Sequence, residues 1–381
     1  MNLLIITQKV DATDSNLGFF VRWIEEFAKR CLQVTVICLE KRVYELPAHV
    51  AVFSLGKNPH ADSRGWRRGF ARIVYTLRLV RYIIREREGY DAVFVHMAPE
   101  YAILGGLFWR LAGKKSALWY VHKEVSLRLR LAAVLVDKIF TASKESCRLR
   151  NKKVEVVGHG IDSNTNYEQD AKLRKGTSAT PHLITVGRIS PVKDIKTLLL
   201  GFRELQKSFP DAQFSIIGEP ITNADRMYLQ EVRHIVSAGV QFRGGVSHDE
   251  LPRYYAAATV FVHASKTGSM DKAVLEALAA GLPVFTSSEA FTETRINADT
   301  ANRGFPQMER TRMNADGEDA DKRGLDIGIH SFRAGDPKDF AEEISRAFLR
   351  KELVVNERGK AYVRENHSLN LLAQKIISFY E

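Results

Sequence analysis

The stretch His182-Leu183-Ile184-Thr185-Val186-Gly187-Arg188-Ile189-Ser190-Pro191-Val192-Lys193-Asp194 decides how the rest of the chain is read. Apolar and β-branched residues run to a glycine, an arginine follows, and a lysine stands just before Ile195 to Phe209, where apolar residues recur at helical spacing. Strand, short cationic turn and helix in that order open a βαβ unit. The turn suits a diphosphate. Gly187 lets the backbone come close, Arg188 offers a fork of donors, and Lys193 offers a point charge. An ordinary strand–loop–helix with two solvated cations has the same spacing, so this motif alone does not separate the two readings.

Downstream the alternation continues. Gln213-Phe214-Ser215-Ile216-Ile217 is predicted as a strand and ends at Gly218. Thr259-Val260-Phe261-Val262-His263 and Pro283-Val284-Phe285-Thr286 are further strands, with a helix over Leu275 to Ala280 between them. Ahead of that helix lies Thr267-Gly268-Ser269-Met270-Asp271-Lys272, a loop of small residues whose run into a helix N-terminus would aim amide groups at an anion. Glu276 follows within the helix, where a carboxylate can accept two hydroxyl hydrogen bonds, as a ribose diol would offer, or be a mere surface charge. Asp271 could cap the helix instead of meeting a ligand. Glu293 to Lys322 is polar and reads as a long surface loop.

Upstream the same architecture comes first. Leu3 to Thr7, Val34 to Ile37, Ala51 to Phe53, Ala92 to Val95, Ala117 to Val121 and Lys138 to Thr141 are predicted strands, with Phe19 to Cys31 a helix. Strands alternating with helices imply parallel sheets covered on both faces, in two α/β halves. The polar stretch from Asn166 to Ser178, with Gly176 and Pro181 near it, is the linker candidate.

Composition agrees. The chain has 381 residues, too many for one ordinary core, with 45% hydrophobic and 27% charged residues. Three cysteines without metal-ligand spacing, no signal-peptide pattern at Met1 to Ser15 and no membrane-length apolar run lead us to expect a cytoplasmic protein. The net charge of +11 favours anionic partners. Arg64, Arg67, Arg68, Arg72, Arg78, Arg81, Arg85 and Arg87 concentrate in one segment interleaved with Trp66, Phe70, Ile73, Tyr75, Leu79 and Tyr82. That is a basic amphipathic helix, either packed on a core or laid on a membrane. No nucleic-acid motif accompanies the charge.

Taken together, Gly-Arg-x-x-x-x-Lys from Gly187 to Lys193, Gly218, and the loop leading into Leu275-Glu276-Ala277 with Gly281-Leu282-Pro283-Val284 resemble the donor half of family 4 glycosyltransferases. Gln241-Phe242-Arg243-Gly244, Leu251 to Ala258, Gly158-His159-Gly160-Ile161-Asp162 and Asn366-His367-Ser368 resemble other segments of that family. The resemblance covers nearly the whole chain and is densest between Gly158 and Val284.

It implies a GT-B fold: two Rossmann-like, doubly wound parallel-sheet domains facing a cleft, one acceptor-side over residues 1–165 and one donor-binding over 166–360. A C-terminal helix, 361–381, would pack back on the first domain. It implies a retaining transferase that moves a sugar from a nucleoside-diphosphate sugar to a glycan, lipid-linked or small-molecule acceptor, with a place in building cell-envelope polysaccharide. Arg188 and Lys193 would stabilise the leaving diphosphate. Gly187, Gly218, Gly268, Ser269, Met270 and Lys272 would surround donor sugar and phosphate, Val274 and Leu275 would line ribose and base, and Glu276 would hold the ribose. On the acceptor side stand Asn16 and Gly18 of the glycine loop, His122 at the reaction centre, His96 and His159. The basic helix resembles the membrane-facing helix of lipid-using members, which implies peripheral contact with the inner face of a membrane.

No cofactor or metal is implied, because cationic side chains and a helix N-terminus neutralise the departing diphosphate. Asp319-Ala320-Asp321 is read as a chance match to a metal motif. One departure stands out. Where the family carries a first glutamate, this chain has Gly268, and Asp271 is the nearest carboxylate that could take over its contacts to the sugar. A binding protein that has lost catalysis, or a related GT-B epimerase or phosphorylase, are the alternatives.

Overall fold

The computed structural model describes residues 1–57, 65–162, 180–266, 270–291, 327–350 and 353–381, the side chains of 65–68 excepted. The candidate linker, Gly268, Ser269, Asp319–Asp321 and the polar segment 293–322 lie outside the described residues.

The chain divides into two compact units, one of Met1–Asn164 with Val246–Glu250 and Glu365–Glu381, the other of Thr165–Gly245 with Leu251–Arg364. In the first unit the strands are β1 (Asn2–Val10), β2 (Gln33–Lys41), β3 (Val50–Ser54), β4 (Ala92–His96), β5 (Lys115–Trp119), β6 (Lys138–Thr141) and β7 (Val154–Val156). They form one sheet of order β3-β2-β1-β4-β5-β6-β7, and every pairing is parallel. β4 is buried along its whole length, as a strand covered on both faces must be. On one face lie α1 (Phe19–Ala28) and a C-terminal helix whose range is given below; on the other lie α2 (Gly65–Arg85), α3 (Pro99–Leu111) and α4 (Leu127–Leu135). The arginine-rich stretch is therefore a helix. It buries Leu79 and Ile83 in the core and leaves Phe70, Ile73, Leu77 and Ile84 exposed.

The second unit repeats the plan. Its strands are β8 (His182–Val186), β9 (Gln213–Ile217), β10 (Val240–Gly244), β11 (Val260–His263), β12 (Val284–Thr286) and β13 (Ile329–Ser331), in parallel order β10-β9-β8-β11-β12-β13. Its helices are α5 (Ile195–Leu205), α6 (Asn223–Arg233), α7 (Leu251–Ala257), α8 (Lys272–Ala279), α9 (Pro337–Leu349) and α10 (Glu357–Asn366). α11 (Leu369–Tyr380) is the C-terminal helix of the first unit. It packs Leu372, Ala373 and Ile376 into the core that holds α1, and the Tyr380 hydroxyl donates to the Val93 carbonyl at 2.6 Å.

Both sheets thus run outward in opposite directions from a central strand, β1 or β8. The crevice outside the carboxyl ends at that reversal is where open α/β sheets hold ligands. Several element boundaries differ from the sequence reading, two of them next to candidate site residues. α8 starts at Lys272 rather than Leu275, and β5 ends at Trp119, which leaves His122 beyond the strand.

Candidate functional site

In the second unit the reversal lies between β8 and β11, and both motifs of the sequence converge there. Gly187 follows β8 with φ +146°, and its amide donates to Ile217 O at 2.9 Å. Gly218 follows β9 with φ +136°. A Cβ there would lie 1.9 Å from Gly187 O, so only glycine allows these two strand ends to approach. Arg188 then points from a backbone held close to the sheet edge. Its side chain is 43% exposed, and its Nε stays 3.9 Å from Asp225, whose carboxylate belongs mainly to the capping box of α6 with Thr222. The guanidinium is loosely held and available to an anion.

Lys193 ends a single 3-10 turn, Pro191–Lys193, and Asp194 follows in the left-handed region at φ +43°, where a short polar side chain is tolerated. The turn is stitched to the loop after β11. Lys266 donates its amide to Val192 O at 2.9 Å, and its ammonium lies 3.4 Å from Asp194. The Lys193 ammonium donates to Asp271 Oδ1 at 2.6 Å.

Asp271 occupies the N-cap position of α8, yet its side chain makes no capping hydrogen bond. Its second oxygen accepts from His263 Nε2 at 2.6 Å, and His263 Nδ1 meets Thr286 Oγ1 at 3.0 Å. Burial alone would raise the Asp271 pKa. The hydrogen bond and charge of His263, with those of Lys193, outweigh it and hold the carboxyl well below the usual range. Asp271 was expected to meet sugar hydroxyls; here both of its oxygens already serve protein donors.

Glu276, one turn into α8, is 5% exposed. Its carboxylate accepts from the Tyr255 hydroxyl at 3.2 Å and lies 3.4 Å from the Lys272 ammonium. It is no helix-surface charge, since a carboxylate so buried needs such donors. Val274 and Leu275 are wholly buried and present no surface to a ligand in this structure, while Met270 is buried beside the loop. Among the described residues each of Arg188, Lys193, Lys266 and Lys272 faces a carboxylate, so an arriving diphosphate would compete with carboxylates for these cations. His263, Thr286 and Tyr255 enter the sequence reading only as parts of strands and of the Leu251 to Ala258 segment, not as site residues. Their one signal was a histidine and a threonine closing adjacent apolar strands.

The acceptor-side candidates of the first unit differ in their surroundings. Gly18 precedes α1, where a Cβ would lie 2.5 Å from Asp14 O, and Asp14 accepts from the amides of Asn16 and Leu17. His96 closes β4 but is 2% exposed. Its ring stacks on Phe20 at 3.9 Å, and Nδ1 meets Thr7 Oγ1 at 3.2 Å. His159 is buried with His367 nearby, between Gly158 and Gly160, both at positive φ. Of the three candidate histidines only His122 is exposed, with its Nδ1 accepting the Glu124 amide at 3.1 Å; a neutral ring so held carries its proton on Nε2.

Comparison with known proteins bears on the same region. Residues 168–305 match the family Glycosyl transferases group 1. The sulfoquinovosyl transferase SQD2 of Arabidopsis thaliana is 27% identical over 186 residues, 46% of this chain and 33% of the relative. The alpha-monoglucosyldiacylglycerol synthase of Acholeplasma laidlawii is 36% identical over 103 residues, 26% of this chain and 25% of the relative. The chain thus spans a third or less of the length of these two relatives. The crystal structure of Anabaena HepE in complex with UDP superposes with a TM-score of 0.67 at 16% identity, covering 100% of this chain and 99% of that one. Residues 168–305 thus match the group 1 glycosyltransferases, and the chain as a whole shares the two-domain GT-B fold.

Proposed function

We propose that the chain transfers a glycosyl unit from a nucleoside-diphosphate sugar to an acceptor hydroxyl, with retention of anomeric configuration. The observation that carries this is the convergence of Arg188, Lys193 and Glu276 at the carboxyl ends beside the reversal of the second sheet. Arg188 and Lys193 neutralise the diphosphate as its bond to the sugar breaks, and Glu276 takes the ribose hydroxyls. The acceptor oxygen attacks C1 from the face the diphosphate leaves, and its proton passes to the departing phosphate oxygen. Two cations and the amides at the start of α8 supply the electrostatics, so the reading calls for no metal ion. Transfer that persists in chelator supports that part, and its loss refutes it.

The acceptor we infer is amphiphilic, lipid-linked or a glycolipid precursor of cell-envelope polysaccharide. A cavity of about 530 Å³ in the first unit is lined by Leu39, Tyr75, Leu79, Tyr101 and Leu104, with Arg72 and Arg128 among them. The exposed apolar residues of α2 continue on α3 as Leu104, Leu107 and Leu111, and Arg72, Arg81, Arg85 and Arg110 are exposed on the same two helices. Apolar side chains mixed with arginines fit a surface of anionic lipid, which would place the protein on the inner face of a membrane. Among the described residues no helix is long and apolar enough to cross one. The relative named as a diacylglycerol glycoside synthase fits an apolar acceptor.

Incubation with UDP-, GDP- and ADP-sugars and lipid extracts, read by product anomer, tests the proposal. A glycosylated product with the donor's configuration supports it. Inversion refutes the retaining mechanism, and tight donor binding without turnover favours the binding-only alternative.

A further inference from the structure

His263 ends β11 and is 3% exposed, and both of its ring nitrogens are hydrogen-bonded. The Ser288 amide donates to Thr286 Oγ1 at 3.0 Å, and the same hydroxyl meets His263 Nδ1 at 3.0 Å. A carboxylate oxygen can only accept, so His263 Nε2 carries a hydrogen and donates it to Asp271 Oδ2 at 2.6 Å. Asp271 Oδ1 accepts from Lys193 at 2.6 Å. The edge of Phe291 packs against the ring, with centroids 6.4 Å apart, and completes the enclosure. One continuous chain of hydrogen bonds thus runs from the main chain after β12 to the ammonium assigned to the diphosphate.

An imidazole is a costly filler for the end of a core strand unless both nitrogens are bonded, and here both are. The carboxylate it holds anchors a lysine, whose flexible stem leaves its charge poorly placed without a partner. We propose that His263 is a positioning residue: by fixing Asp271 it fixes the Lys193 ammonium at the diphosphate position, and so sets the enzyme's preference for diphosphate over monophosphate nucleotides. This rests on the donor reading above. His263 touches no substrate and acts only through Asp271 and Lys193.

The test is calorimetric titration of the full chain with UDP, GDP and ADP, and with the monophosphate of whichever binds most tightly. The variants are His263→Leu, His263→Gln, Lys193→Ala and the double variant His263→Leu/Lys193→Ala. Groups that orient a ligand from behind are typically worth about 10–100-fold, so His263→Leu should weaken diphosphate binding by at least about tenfold and leave monophosphate binding near wild type. His263→Gln, whose amide can still donate to Asp271, should recover most of the loss. The double variant should bind no more weakly than Lys193→Ala alone, because one residue acts through the other.

Should the leucine variant not fold, His263→Asn, which keeps the Thr286 bond and loses its reach to Asp271, carries the same expectation. Equal loss of mono- and diphosphate binding, or additive losses in the double variant, would reduce His263 to a structural role and overturn the proposal. Wild-type affinity in the His263 variants with weak binding in Lys193→Ala overturns it and leaves the donor reading standing. Wild-type affinity in Lys193→Ala overturns both.

Discussion

The Lys193 ammonium and the Asp271 carboxylate meet at 2.6 Å although 78 positions separate them in the chain. One follows β8 and the other precedes α8, so this contact joins the two sequence motifs into one site. Because the folded-state pKa of Asp271 lies below its ordinary 3.8, the ionised carboxylate stabilises the fold. That contribution is complete above about pH 4 and is lost as pH falls through the lower folded value. Asp271→Asn should therefore cost about 1–3 kcal/mol at neutral pH, the usual scale for a hydrogen-bonded charge. Denaturant melts of both proteins should show this gap shrinking below about pH 4. A gap independent of pH would show that Asp271 is not the stabilising anion.

Glu276 is buried against Tyr255 and Lys272, and a ribose contact is similar in ground and transition states. Glu276→Ala should raise the donor KM by about tenfold or more while kcat falls less. Tyr255→Phe removes only one of the carboxylate's donors and should move KM in the same direction by less. Steady-state kinetics that show an unchanged KM in both would take Glu276 out of the donor site.

Gly218 and Gly244 both have positive φ, but only Gly218 has a backbone oxygen, that of Gly187, where a Cβ would go; nothing lies within 4 Å of a Cβ at Gly244. Gly244→Ala should cost about 1 kcal/mol of backbone strain. Gly218→Ala adds a clash that must move the strand end, and its cost should exceed about 3 kcal/mol, in the range of severe substitutions. Thermal unfolding of the two variants compares them directly. Equal losses would mean that Gly187 and Gly218 do not approach as described.

Much of the fold was legible because parallel strands buried on both faces are continuous apolar runs, as in Leu3 to Thr7 and Phe214 to Ile217. The glycines at the ends of β8 and β9 were legible too, since the close approach they permit excludes any side chain. The site's inner layer was not. His263 and Thr286 sit on separate strands, and their partnership with Asp271 exists only once β11 and β12 pair. His96 shows the converse. A histidine closing a strand looked like a ligand contact, but α1 brings Phe20 onto its ring and buries it. α8 begins at Lys272, three residues before the Leu275 read from the sequence, and so takes in Lys272, Ala273 and the buried Val274.

The exposed side chains Phe70, Ile73 and Leu77 share α2 with arginines. Replacing all three by serine should leave thermal stability nearly unchanged, as substitutions at exposed positions usually do. It should lower co-sedimentation with vesicles of anionic phospholipid by about tenfold, from the apolar area withdrawn. Wild-type protein that ignores such vesicles at low salt would remove the membrane from the account.

The central claim is that Arg188 and Lys193 stabilise a departing nucleoside diphosphate. Its most direct measurement is the rate of nucleoside-diphosphate release from the preferred donor, with wild type, Arg188→Ala and Lys193→Ala compared at equal folded concentration. Each variant should keep the wild-type Tm within a few degrees and lose about a hundredfold or more in kcat/KM, the scale of one removed transition-state donor. Release at near wild-type rates in both folded variants would contradict the account.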